Sequence, residues 1–107
     1  MRLHPVFQRQ IDSIVRGDLD ALLDNYAPDA TLVRFDLVAQ GIDEVREMMR
    51  GYLTTNPEVV ELTSYAEGGD TIFYRATMKL NGQPRDAFGT LVLRDGKIWR
   101  QTAGFAA

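Results

Sequence analysis

Asp36, Gln10, Gln101 and Tyr74 are the residues whose type and setting could support chemistry. Asp36 closes the extended run Thr31-Leu32-Val33-Arg34-Phe35. Facing an apolar cavity, it would have its pKa raised by desolvation and be suited to proton transfer. At a hairpin tip the same residue is a solvated turn former. Arg34, two positions earlier on one strand face, could pair with Asp36 and hold it ionised. Gln10 shares a helical apolar stripe with Phe7 and Ile14, and Gln101 alternates with Trp99, Ala103 and Phe105. A buried carboxamide left unsatisfied costs about 1–3 kcal/mol. Each Gln is therefore either a core residue bonded to backbone or a ligand contact. Tyr74, among Ile72, Ala76 and Met78, is either a core tyrosine with its hydroxyl at a rim or a catalytic group. Met48, Met49, Tyr52, Met78 and Trp99 could line a pocket for a flat apolar ligand, or be ordinary core.

Other chemistries lack their residues. The chain has no cysteine, so disulfides, thiolate nucleophiles and cysteine-ligated metals are excluded. His4 is the lone histidine and precedes Pro5, which suits a helix end better than a general base. One histidine and scattered acids do not make a metal site, and none is expected. There is no P-loop and no GxGxxG, Gly68-Gly69-Asp70 reads as a turn, and no cofactor is expected. Arg85-Asp86 follows a turn and reads as surface. Twelve Lys and Arg against fifteen Asp and Glu leave a formal charge of -3, with the basic residues scattered. That argues against a nucleic-acid partner. No apolar run approaches the ~20 residues of a membrane span, and Met1-Arg2-Leu3-His4-Pro5 carries no hydrophobic signal region. A soluble cytoplasmic protein is expected.

The elements that must position these residues follow from local patterns. At 107 residues the chain is read as one domain, 1–107. Pro5 suits a first helical turn. Phe7, Gln10, Ile11, Ile14 and Val15 then recur at helical spacing up to Gly17, a C′ glycine. Asp18 is the expected N-cap of a short second helix whose apolar face is Leu19, Leu22, Leu23 and Tyr26. Pro28 ends it. A strand from Ala30 is expected to turn back near Phe35-Asp36 and run to Gln40. A third helix follows Gly41, with Ile42, Val45, Met48, Met49 and Tyr52 on its buried side, and Asn56-Pro57 stops it.

From Val59 the period changes to two. Ile72, Tyr74, Ala76, Met78 and Leu80 point one way, towards the helices; Thr71, Phe73, Arg75, Thr77 and Lys79 point the other. Asn81-Gly82 and Asp95-Gly96 predict two tight hairpins. Helices first and a long meander afterwards describe an α+β domain.

Four segments together carry a resemblance. They are Gly17-Asp18-Leu19-Asp20-Ala21-Leu22, Tyr26-Ala27-Pro28-Asp29-Ala30-Thr31, Gly41-Ile42-Asp43-Glu44-Val45-Arg46-Glu47 and Asp95-Gly96-Lys97-Ile98. In order and spacing the chain resembles the nuclear-transport-factor-2-like (NTF2-like) superfamily, and within it the small bacterial SnoaL-like and ketosteroid-isomerase-like proteins. The resemblance implies a cone: three N-terminal helices packed on a curved antiparallel β-sheet, closing around an apolar pocket. It also implies a homodimer, through an outer sheet face where Phe73 would be joined by Val92 and Ile98. Members include isomerases, polyketide cyclases, epoxide hydrolases and proteins that only bind or hold partners together. The matched segments are structural and do not choose among these.

The catalytic patterns of two members are not matched. Ketosteroid isomerases use a carboxylate base and an oxyanion hole of a tyrosine and a protonated aspartic acid. The tyrosine position falls on Gln10 and the aspartate position on or near Gly89. Asp36 lies close to the base position, with Arg34 nearer the aligned site. Limonene epoxide hydrolase needs an Asp on the last strand, and Lys97-Ile98-Trp99-Arg100-Gln101-Thr102-Ala103-Gly104-Phe105 contains no carboxylate. The expectation is a small-molecule-binding SnoaL-like protein with an apolar pocket for a hydrophobic carbonyl-bearing or polycyclic compound. As an isomerase or cyclase it would use Asp36 to shuttle a proton, with Gln10, Tyr74 or Gln101 orienting the ligand. The alternative is a non-catalytic homodimeric binding or association module with a small or open cavity.

Overall fold

A computed structural model describes residues 2–106. Helix α1 spans Pro5–Arg16, α2 Leu19–Asp24 and α3 Ile42–Leu53. Strands are β1 Tyr26–Arg34, β2 Leu37–Gln40, β3 Glu58–Gly68, β4 Thr71–Leu80, β5 Gln83–Arg94 and β6 Lys97–Ala106. The punctuation residues act as their chemistry dictates. His4 caps α1, its Nδ1 accepting from Val6 N at 3.1 Å. Gly17 ends it in the left-handed region, φ 67°, and the N–H groups of Gly17 and Asp18 close onto the Ile14 and Ser13 carbonyls. Asp18 Oδ1 then caps α2 from Ala21 N at 3.1 Å. At both Asn81-Gly82 and Asp95-Gly96 the two central residues have positive φ, as a type I′ hairpin requires.

The six strands form one sheet in the order β2-β1-β6-β5-β4-β3. Every pair is antiparallel except β1 with β6, which is parallel and sets Leu32 beside Gln101. The hairpin expected near Phe35-Asp36 forms, pairing Arg34 with Leu37 and Val33 with Val38. Helices pack on one face. Val6, Leu22, Leu32, Val45, Ile72, Leu91 and Ile98 are the fully buried centre of the core. On β4 the expected face holds: Ile72, Ala76 and Met78 are buried, while Phe73, Arg75 and Lys79 are exposed.

Bulges account for three departures from a plain period of two. On β3 the register slips twice, around Val60 and Thr63, so Val59, Leu62 and Tyr65 turn inward at every third residue. On β6, Arg100 pairs with Val92 but Ile98 with Leu93, leaving Trp99 as an extra residue. The bulge turns Ile98 and Gln101 both inward and Trp99 outward. Ile98 is therefore core and does not join Phe73 on the outer face. The strand expected from Ala30 begins at Tyr26, because Asn25 caps α2 and Ile98 N bonds back to Asn25 O at 2.9 Å. Tyr26 is thus a strand residue and not part of the α2 face. Pairing with β6 lapses between Tyr26 and Thr31, which leaves Pro28 where no ladder N–H is needed.

Leu22 is 0 % exposed, in the α2 face that packs on the sheet. Leu22→Ala should lower unfolding free energy by about 2–5 kcal/mol. Urea denaturation should show a lower midpoint at unchanged slope.

Candidate functional site

The face of the sheet beneath the helices does not close completely. A cavity of about 100 Å³ remains. Its wall combines Phe7, Ile11 and Ile14 of α1, Met48, Met49 and Tyr52 of α3, and inward residues of β1 and β3–β6. The period-two and period-3.6 patterns bring Gln10, Met48, Tyr52, Tyr74, Met78 and Gln101 together in this lining. Trp99, expected with them, is not in it. The β6 bulge places it outside, where Arg100 and Arg94 lie over its ring at 3.9 and 4.7 Å.

Asp36 does not join the lining either. It sits in the β1–β2 turn with its side chain about half exposed, bound twice by Arg34, at 2.8 and 3.1 Å. The Arg34 guanidinium holds the carboxyl below the ordinary carboxylate value. Desolvation was the physical basis for a proton-shuttling Asp36, and at this exposed turn the ion pair outweighs it. Arg34 is the member of the pair that reaches the cavity wall.

The two carboxamides are satisfied by each other's neighbours. Gln10 Nε2 donates to the Tyr26 hydroxyl at 2.8 Å, and that hydroxyl donates to Gln101 Oε1. Asn25 Nδ2 donates to Gln10 Oε1 at 3.0 Å and to the Val6 carbonyl at 2.9 Å. Arg9 Nε donates to Asn25 Oδ1 at 3.2 Å. The chain Arg9–Asn25–Gln10–Tyr26–Gln101 joins α1 to the α2–β1 junction and to β6. Sequence reasoning found Gln10 and Gln101 in the cavity and missed Arg9, Asn25 and Tyr26. Asn25 ends α2 and Arg9 lies on the exposed side of α1, and neither carries a local signal of this role.

Desolvation dominates the tyrosines. Burial raises the pKa of Tyr26 and Tyr52, and pushes Tyr74 up to about 12. The Tyr52 hydroxyl contacts Met78 Sδ at 3.7 Å. Tyr74 crosses to Gly89, where an added Cβ would meet the Tyr74 hydroxyl at 2.9 Å and collide with the Thr102 carbonyl. Gly89, on or near which the ketosteroid-isomerase aspartate is expected to fall, has no room for a side chain. Among the described residues the lining contains no Asp, Glu, His or Lys, and its one charge is Arg34. Among the described residues no His, Cys, Asp and Glu cluster could hold a metal ion, and no helix is long and apolar enough to cross a membrane.

A helix-capped, curved six-stranded sheet around an apolar cavity defines the NTF2-like class. The model of the SnoaL-like domain matches residues 7–101, and the chain belongs to that family. Solved structures share the fold at low identity. A proposed polyketide cyclase from Sinorhizobium meliloti has a TM-score of 0.82 at 22 % identity, with 94 % of each chain covered. An NTF2-like protein of unknown function from Cytophaga hutchinsonii has 0.82 at 15 %, covering 99 % of this chain and 95 % of that one. A proposed ketosteroid isomerase from Kribbella flavida has 0.83 at 12 %, covering 95 % and 76 %. No curated protein matches the chain.

Two measurements test the site. Tyr26→Phe strands the Gln10 and Gln101 amides and should cost about 1–3 kcal/mol of stability. The buried tyrosines have folded pKa values above the ordinary 10.0. Their stabilising effect is complete below pH 10.0 and is lost as pH rises through the folded values. Alkaline titration should therefore show the Tyr26, Tyr52 and Tyr74 absorbance change arriving together with unfolding, and Tyr26→Phe should remove one tyrosine from that step.

Proposed function

We propose that this SnoaL-like protein binds a small apolar molecule in the cavity between α1, α3 and the sheet. The observation that carries the reading is an apolar cavity with a few polar groups converging on it, namely Gln101, Gln10, Tyr74 and Arg34. A cavity of about 100 Å³ favours a single-ring group over a polycyclic one; an engineered apolar cavity of about 150 Å³ takes benzene. A hydrophobic carbonyl compound suits the polar groups, with any larger part of it lying at the Arg34 end.

An isomerase or cyclase acting by proton transfer needs a base beside its ligand. Among the described residues the lining supplies none: its carboxamides do not titrate near neutrality, its tyrosines are held protonated, and the Arg34 guanidinium only donates. Binding is therefore the better supported reading, and the activities proposed for the Sinorhizobium and Kribbella proteins stay theirs. Chemical-shift mapping with a single-ring ketone such as cyclohexanone at millimolar concentration should move Gln101, Tyr74 and Met78. Ala103→Phe, which fills the cavity from its wall, should abolish those shifts. Shifts scattered over the surface, or none, would sink the reading.

An association role also has an observation behind it. Phe73 and Phe88 stand exposed as diagonal neighbours on the outer face of β4 and β5. We propose that this face pairs two copies of the chain, as the family resemblance leads one to expect. Light scattering at micromolar concentration should give twice the chain mass, and Phe88→Lys should halve it. A monomer mass for the unaltered chain would end the proposal.

A further inference from the structure

The polar groups that meet the cavity are not equally free to donate and to accept, and the reason lies outside the cavity. Two neighbours of fixed character hold the Asn25 carboxamide. A guanidinium can only donate and a backbone carbonyl can only accept. Arg9 Nε reaches Asn25 Oδ1 at 3.2 Å, and Asn25 Nδ2 reaches Val6 O at 2.9 Å. Asn25 is locked in one orientation, and every later bond follows. Its Nδ2 meets Gln10 Oε1 at 3.0 Å, so Gln10 must turn Nε2 to the Tyr26 hydroxyl, at 2.8 Å. Having accepted that bond, the hydroxyl gives its own proton to Gln101 Oε1. Gln101 therefore reaches the cavity wall with its oxygen turned towards Tyr26 and its N–H groups to offer. Arg34 on the same wall also only donates. The Tyr74 hydroxyl can do either, and the Tyr52 hydroxyl donates to Met78 Sδ at 3.7 Å.

We propose that Asn25, which does not line the cavity, is a positioning residue that sets ligand specificity. Held by Arg9 and Val6, it makes the polar end of the cavity a hydrogen-bond donor. The site then takes a ring bearing an acceptor, a carbonyl oxygen or an aromatic nitrogen, and rejects a ring bearing only a donor. This rests on the cavity being a ligand site. A donor-only ring seated against Gln101 and Arg34 would leave its own N–H unpaired there, which costs about tenfold or more in affinity.

The arrangement can be reversed by one nearly isosteric change. In Asn25→Asp the side chain can only accept. Gln10 would then turn Nε2 towards it and receive the Tyr26 proton on Oε1. The Tyr26 oxygen would accept from Gln101 Nε2, and Gln101 would offer Oε1 to the cavity.

The experiment compares pyridine, an acceptor, with pyrrole, a donor, at a pH where pyridine is neutral. Benzene serves as the reference ring, and the Gln101 side-chain amide resonances report binding by NMR. The unaltered protein should bind pyridine about tenfold more tightly than pyrrole, with the Gln101 N–H signals moving for pyridine. Asn25→Asp should reverse the order, and Arg9→Lys, still a pure donor, should keep it. Tyr26→Phe interrupts the chain and should erase the preference, which gives a second variant if Asn25→Asp does not fold. Equal affinities in the unaltered protein overturn the inference by themselves, as does an unchanged order in Asn25→Asp. Benzene entering without discrimination between the two heterocycles removes this inference alone. Failure of benzene to enter removes the binding reading and this inference with it.

Discussion

Burying four polar side chains between helices and sheet imposes a constraint on everything around them. Gln10, Asn25 and Gln101 are nearly inaccessible, and Tyr26 lies among them. Each would cost about 1–3 kcal/mol without a partner. They satisfy one another only when α1, the α2–β1 junction and β6 stand in one mutual arrangement. Apolar contacts are tolerant of small slips, whereas a chain of directional bonds is not. The chain thereby seats α1 over the sheet at the depth that leaves a cavity beside Gln10 and Gln101.

The sheet must curve for that cavity to exist. The bulges on β3 and β6 add residues to one strand of a pair and bend it. The β6 bulge has a second effect, since it reverses which residues face inward. It brings Gln101 to the network and sends Trp99 out to stack with Arg94 and Arg100. Gly89 allows a close approach behind the cavity wall. Without a Cβ it lets the Tyr74 hydroxyl and the β6 backbone approach β5 closely. Curvature, polarity and the room left for a ligand thus depend on a few irregular positions in otherwise regular strands.

Membership of the SnoaL-like family does not bring a catalytic base with it. The cavity is walled by apolar side chains, neutral tyrosines and carboxamides, with one guanidinium that Asp36 holds from outside. Such a wall can recognise shape and a single polar atom. Among the described residues it holds no carboxylate and no imidazole. The same fold carries catalysis elsewhere because a few side chains differ, which is why function has to be argued from the site.

Local chemistry determined the elements of this protein. Gly17, Asp18, Asn81-Gly82 and Asp95-Gly96 set helix ends and hairpins through backbone geometry that acts over a few residues. Strict alternation on β4 assigned its inner face, and helical spacing placed Gln10, Met48 and Tyr52 on buried sides. Those signals were legible because each depends on neighbours close in sequence. The tertiary structure alone decided the rest. Trp99 and Ile98 exchanged faces because a bulge is defined by the partner strand, and single-strand alternation cannot register it. Asp36 became an exposed ion-paired turn residue because its environment is set by where the hairpin tip ends. The Arg9, Asn25 and Tyr26 roles were invisible in the sequence, since Tyr26 meets Gln101 across 75 positions of chain. A hydrogen bond between residues that far apart leaves no periodicity and no local motif, and only folding brings its two ends together.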